Sequence, residues 1–250
     1  MSQFPRPLLL GHRGAGGEAP ENTWPAFELA KKAGLHGFEL DVALTRDQVP
    51  AVVHDLTLKR VAGAEIAVHD LAWKDLARIE AGGHFDPRFS DERIPRLEDV
   101  LDHFGGDLIL DLELKGYPWS GGVEEVVIKL VRERDLCDRV IVSSFNPLVI
   151  RKVQALAPEL RTGFNYLSDS ILHLRRAWFG LFGRTFSKHP QPRQATRRYI
   201  ARQRRRGIWV IPWGANEPEE IRRLLREGAD GLITDYPSRL KLILGQAVAS

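Results

Sequence analysis

Gly37-Phe38-Glu39-Leu40-Asp41-Val42 is an apolar run broken twice, two residues apart, by a carboxylate. In a β-strand alternate side chains point to opposite faces, so Glu39 and Asp41 share one face and Leu40 turns away, toward helices. Near-continuous apolar runs of this kind mark buried parallel strands. Seven more follow the same pattern, at residues 8–11, 108–112, 140–143, 161–164, 185–188, 209–212 and 231–234.

Amphipathic stretches lie between these runs. Asn22 or Thr23 is placed to cap a helix through Trp24, Phe27, Ala30 and Ala33, with Pro25 in its first turn and Gly34 at its stop. Further helices are expected over about 124–134, 147–156, 193–206, 217–227 and 238–244. Eight strands alternating with helices predict an α/β fold, a (β/α)8 TIM barrel; fewer strands would mean an open doubly wound sheet. Two segments depart from the alternation. Residues 50–54 read as an extra strand, followed by helices around 72–80 and 96–103. Residues 168–184 combine Leu172, Leu174, Trp178, Phe179, Leu181 and Phe182 with Arg175, Arg176 and Arg184, the composition of an amphipathic lid. The expected organisation is one barrel domain over 1–250, with a short insertion at about 55–93 and a lid at about 168–184.

Composition narrows the classes of function. With 43% hydrophobic and 28% charged residues the chain has the balance of a soluble globular protein, and no apolar run reaches the roughly 18 residues of a membrane span. Cys137 is the single cysteine, which excludes an internal disulfide and fits a reducing compartment. The leading residues lack the apolar core of a signal peptide, so a cytoplasmic protein is expected. The net charge of +3 is concentrated in Arg193, Arg197, Arg198, Arg202, Arg204, Arg205 and Arg206. This stretch, with 168–184, fits either peripheral contact with an anionic membrane or a solvated helix with cations near its C-terminus. No nucleic-acid partner is expected.

Barrel enzymes carry their chemistry at the C-terminal ends of the strands. Those ends read Gly11-His12-Arg13-Gly14, Glu39-Leu40-Asp41, His54-Asp55 and Asp111-Leu112-Glu113-Leu114-Lys115. Adjacent carboxylates repel unless a proton or a cation separates them. Glu39 and Asp41, joined by Glu113 from a neighbouring strand, form an all-oxygen set suited to a hard divalent cation, Mg2+ or Ca2+. The competing reading is a salt-bridged network with Arg13 and Lys115. His12 and His54 are the natural acid and base, because the imidazole side chain is suited to proton transfer near neutral pH. Arg13 as a fork and Lys115 as a point charge suit phosphate oxygens. His69, His84, His103 and His189 have less company, and His36, His69 and His103 read as surface or packing residues. Ser143 and Ser144 lack a Gly-x-Ser-x-Gly elbow, and no Walker loop or Gly-x-Gly-x-x-Gly fingerprint is present.

An ordered set of motifs runs through the chain. It comprises His12-Arg13-Gly14, Pro20-Glu21-Asn22-Thr23, Ala26-Phe27, Glu39-Leu40-Asp41-Val42 with Thr45 and Asp47, and Val52-Val53-His54-Asp55. It continues with Ile94-Pro95-Arg96-Leu97-Glu98-Asp99-Val100-Leu101, Glu113-Leu114-Lys115, Ser143-Ser144-Phe145 and Asp230-Gly231-Leu232-Ile233-Thr234-Asp235-Tyr236-Pro237. In order and spacing this resembles the glycerophosphodiester phosphodiesterase family over nearly the whole length. The resemblance implies a (β/α)8 barrel and a divalent cation on Glu39, Asp41 and Glu113. It also implies acid–base catalysis by His12 and His54, and a phosphate held by Arg13 and Lys115. The implied substrates are small glycerophosphodiesters such as glycerophosphocholine or glycerophosphoethanolamine, cleaved to glycerol 3-phosphate and an alcohol. Where the family commonly has Trp-Thr-Val-Asn, this chain has Trp213-Gly214-Ala215-Asn216, which keeps Trp213 and Asn216 for the substrate pocket and alters its fine shape. Which histidine is acid, and whether a glycerol hydroxyl or water attacks phosphorus, stay open. Two other readings stand beside this one: a lysophospholipase D-like enzyme working on lysolipids at a membrane, and a non-catalytic binding protein on the same barrel.

Overall fold

The computed structural model describes residues 4–116, 121–167 and 185–248; the lid expected at 168–184 lies outside them. Nine strands are present among the described residues: β1 (Leu8–Gly11), β2 (Gly37–Leu44), β3 (Pro50–Val52), β4 (Ile109–Leu114), β5 (Val140–Ser144), β6 (Arg161–Asn165), β7 (Ser187–His189), β8 (Trp209–Val210) and β9 (Gly231–Thr234). All except β3 pair in parallel, in the order β8-β7-β6-β5-β4-β2-β1-β9. The ends of this order meet through backbone bonds from Asp230 N to Val210 O (2.9 Å), Ile233 N to Pro212 O (2.9 Å) and Ala215 N to Ile233 O (3.1 Å). The eight parallel strands thus make a nearly closed barrel, as the apolar runs predict.

The helices among the described residues are α1 (Trp24–Lys32), α2 (Lys59–Ala62), α3 (Trp73–Leu76), α4 (Leu97–Phe104), α5 (Val123–Glu133), α6 (Pro147–Leu156), α7 (Arg197–Arg204), α8 (Pro218–Arg226) and α9 (Pro237–Val248). None of the described helices is long and apolar enough to cross a membrane. Strand alternation sorts the core into two shells. Outward-facing Leu40, Val42, Leu110 and Leu112 pack under α1, α4 and α5 with Phe27, Phe38 and Phe104. Phe27 stacks on Phe38 with ring centres 4.4 Å apart, and Phe104 meets both edge-on. Inside the barrel Leu8, Leu10, Ile109, Ile141, Ile211 and Ile233 fill the lower part, with Phe4 beneath. Climbing β4 the inward residues change from Ile109 to Asp111 to Glu113, so the interior turns polar toward the C-terminal mouth.

Local structure departs from the sequence reading where function intrudes. Neither Asn22 nor Thr23 caps α1 with its side chain. Thr23 Oγ1 donates to Pro20 O (2.6 Å), and Asn22, in the left-handed region at φ 58°, turns its amide onto Asp41. The expected helix over 193–206 divides into a 3-10 turn, Pro192–Gln194, and α7, where Thr196 accepts from Tyr199 N to restart the helix. The helix expected over 72–80 shortens to α3. The extra strand β3 folds back antiparallel on β2, pairing Val42 with Val52 and Leu44 with Pro50. Beyond it, Val53, Leu58, Val61, Val68, Leu76, Ala81 and Ile94 form a small core of their own.

Candidate active site

The strand ends converge on a cavity of about 330 Å³ lined by His12, Arg13, Glu39, His54, Glu113, Phe145, Asn165, Leu167, His189 and Trp213. Glu39, Asp41 and Glu113 each bring an oxygen within 4.8 Å of the others. Strand register alone builds this cluster: in the β2–β4 pair Glu39 lies opposite Asp111 and Asp41 opposite Glu113.

Lys115 and Arg13 do pair with these acids. Lys115 Nζ stands 2.8 Å from Asp41 Oδ1 and also meets Glu113, while Arg13 Nε lies 3.5 Å from Asp41 Oδ2. Burial would push the Asp41 carboxyl up, but Lys115, Arg13 and His54 outweigh it and hold it well below the usual carboxylate range. They do not neutralise the cluster. Arg13 and Lys115 face four buried carboxyls, Glu39, Asp41, Asp111 and Glu113, and Arg13 is shared with Glu21. Glu39 carries the excess: burial first, then Asp41, Glu113 and Asp111, raise its carboxyl well above the ordinary range. Its Oε1 is buried with no hydrogen-bond partner. A divalent cation fits this arrangement, because an orphaned oxygen and a buried carboxyl whose ionisation its acidic neighbours oppose are what a hard ion relieves in an all-oxygen set.

Both histidines are backed by aspartates. His12 Nδ1 donates to Asp235 Oδ1 (2.7 Å), and His54 Nδ1 donates to Asp55 Oδ1 (2.6 Å). Burial would raise both aspartates, but hydrogen bonds and nearby positive charge keep them below the usual range, so each is an acceptor. Nδ1 is thereby committed, and in the neutral ring Nε2 carries the lone pair. On His12 that nitrogen lies 3.8 Å from Glu39 Oε2. Arg13 sits at φ 50°, where its N–H reaches Glu39 Oε2 (3.0 Å). Asn165 donates to Glu113 Oε2 (2.9 Å) and fixes that carboxylate.

Below the cluster lies a buried pair. Burial pushes Asp111 up to about 8, with Glu113 and Asp41 adding to it. Burial lowers His189 to about 3, and its Nδ1 lies 3.5 Å from Asp111 Oδ2. At neutral pH this floor is a carboxylic acid beside a neutral imidazole.

Six of the nine residues singled out in the sequence, His12, Arg13, Glu39, His54, Glu113 and Trp213, line the cavity. Asp41 and Lys115 join through their ion pairs. Asn216 stands behind the wall: its amide donates to Asp235 Oδ2, holding the carboxylate behind His12. The sequence reading assigned no role to Asp55, Asp235, Asn165, Phe145 or His189. Their signal was position, since each stands at or just past a strand end.

Fold and site together define a barrel enzyme of the phosphoric diester hydrolase class. Residues 12–239 match the glycerophosphoryl diester phosphodiesterase family, and the chain belongs to it. It is 34% identical over 236 residues to a glycerophosphodiester phosphodiesterase of Caldanaerobacter subterraneus subsp. tengcongensis, covering 93% of this chain and 96% of that one. It is 31% identical over 274 residues to a human lysophospholipase D, covering 93% and 83%. Among solved structures it is similar to an Oleispira antarctica phosphodiesterase in complex with the product sn-glycerol-3-phosphate, with a TM-score of 0.82, 25% identity and 97% of each chain covered. Family membership and the intact site set aside the reading as a non-catalytic binding protein.

Proposed function

We propose that the protein hydrolyses small glycerophosphodiesters to glycerol 3-phosphate and an alcohol, with His12 and His54 as its acid–base pair. The observation that carries this reading is the pair of aspartate-backed histidines in one cavity with a buried acidic cluster. Glu39, Asp41 and Glu113 would hold a divalent cation, Mg2+ or Ca2+, which when bound supplies positive charge to a phosphoryl oxygen. Arg13 and Lys115 bind the remaining phosphate oxygens, the first as a fork and the second as a point charge. One histidine takes the proton of the attacking hydroxyl through Nε2, and the other returns a proton to the departing alkoxide. Trp213 and Phe145, packed edge-on at 5.8 Å, shape the apolar side of the cavity. The chain acts in this reading as one barrel domain carrying the 55–93 insertion, in the cytoplasm.

A panel of glycerophosphodiesters and lysophospholipids, assayed with Mg2+, Ca2+ or chelator, tests it. Release of glycerol 3-phosphate that stops with chelator is expected, and full activity in chelator would refute the cation. A second reading, lysolipid cleavage at a membrane, draws on Leu148 and Leu167, exposed by 65% and 45%, the latter on the cavity wall. It draws also on Arg198 and Arg202, exposed on α7, and on Arg205 at its C-terminal cap. Binding to anionic but not neutral liposomes, with faster lysolipid turnover, would favour it.

A further inference from the structure

Arg60 lies on α2, inside the insertion and away from the cavity lining, yet its guanidinium is the centre of a chain of charges. Nε donates to Asp55 Oδ2 (2.7 Å). Nη1 and Nη2 donate to the two oxygens of Glu21 (2.8 and 2.7 Å). Asp55 holds the ring of His54 through its other oxygen, and both oxygens of Glu21 accept from Arg13 Nη1 (2.9 Å each). The path Arg13–Glu21–Arg60–Asp55 alternates in sign, ends on the His54 ring and spans two structural units. Arg13 and Glu21 follow β1; His54, Asp55 and Arg60 follow β3.

We propose that Arg60 is a positioning residue that sets the phosphate fork and the His54 ring relative to each other. Its fork brackets two carboxylates that serve different ends, one fixing a cation and the other an imidazole. Without it Asp55 loses the one cation that the described residues place on its free oxygen and can swing off His54. Glu21 is left to Arg13 alone and draws that guanidinium toward itself, away from the cavity. A lysine cannot replace the bracket, since one ammonium lacks the planar fork that reaches both carboxylates.

The inference rests on the roles proposed above for His54 and Arg13. The test measures kcat and KM with glycerophosphocholine for Arg60→Ala, Arg60→Gln and Arg60→Lys beside His54→Ala and Arg13→Ala. Thermal melting reports whether each is folded. Arg60→Ala is expected to lose roughly 10²-fold in kcat/KM, the scale of a small misplacement of reacting groups. The loss should be split between a lower kcat, through His54, and a higher KM, through Arg13. In an Asp55→Asn background the kcat part should vanish and the KM part persist. Sub-denaturing guanidinium should restore much of the loss in Arg60→Ala, and Arg60→Lys should stay impaired. A folded Arg60→Ala or Arg60→Gln within about twofold of the unmodified enzyme, or recovery in Arg60→Lys, overturns the proposal. So does a loss that guanidinium does not relieve and that tracks melting temperature alone. If His54→Ala and Arg13→Ala keep full activity, the parent reading falls instead; if they lose it while Arg60→Ala does not, only the role of Arg60 falls.

Discussion

Replacing Glu39 by glutamine keeps the shape of the side chain and removes the carboxyl that is hardest to ionise in the barrel mouth. Without a cation the folded chain holds a proton on Glu39 that the unfolded chain gives up, because burial, Asp41, Glu113 and Asp111 raise the folded pKa. For an acid shifted upward, the folded state loses stability as pH rises past the unfolded value of about 4.3 and stops losing it at the folded pKa. The slope is at most about 1.4 kcal/mol per pH unit for one group. Glu39→Gln lacks this slope, so in chelator at pH 7 it should match or exceed the unmodified protein in stability. Cation binding reverses the order. At a concentration 100 times its dissociation constant a ligand adds about 2.7 kcal/mol. In a chain of this size that raises the melting temperature by about 5–10 °C. The unmodified protein should show that rise with Mg2+ or Ca2+, and Glu39→Gln should show little or none. Melting curves from pH 5 to 8, with chelator and with cation, give both quantities. A variant less stable than the parent in chelator at pH 7, or one with an undiminished cation shift, would refute the account of the cluster.

His12→Ala and His54→Ala should each cost roughly 10²-fold or more in kcat/KM; a nitrophenyl phosphodiester, whose leaving group needs no proton, should rescue whichever variant lost the acid, and rescue of neither would remove the pair from that step. Asp235→Asn should lower kcat by roughly 10²-fold with the melting temperature nearly unchanged, because an amide donating to Nδ1 moves the ring proton to Nε2; unchanged turnover would show that Asp235 does not set the tautomer. His189 has a folded pKa near 3, below its unfolded value of about 6.5, so its contribution is complete above about 6.5 and is lost as pH falls toward 3. Urea midpoints between pH 4 and 7 should therefore fall less steeply with acid in His189→Gln than in the parent, and parallel curves would contradict its burial as a neutral ring.

Near-continuous apolar runs made the barrel strands legible. β1 and β9 begin and end where their apolar runs do, and α6 fills its expected span. β2 outruns its expected end by two residues because Ala43 and Leu44 stay buried against β3, a pairing no local pattern announces. β8 stops at Val210, before a proline that has no N–H for a ladder. The carboxylates and histidines were visible for the same reason as the strands, since they stand at strand ends. What the sequence concealed is pairing between separate strand ends: Asp235 serves His12 from 223 residues away, and Asn216 reaches Asp235 across the seam between β8 and β9. Asn22 misled in an instructive way. It has the residue type and place of a helix cap, and the site takes its amide for Asp41.

The ring of strands is joined at its last seam by only two residues of β8 and the few backbone bonds that follow. Ala215, which makes one of those bonds, is followed directly by Asn216, the clamp on the carboxylate behind His12. Closure of the barrel and alignment of one histidine are thus a single joint. Breathing at this seam, read as amide hydrogen exchange at Ile233 and Ala215, should unlatch His12 before any helix melts. In mild denaturant activity should then fade in step with that exchange and ahead of the loss of circular dichroism.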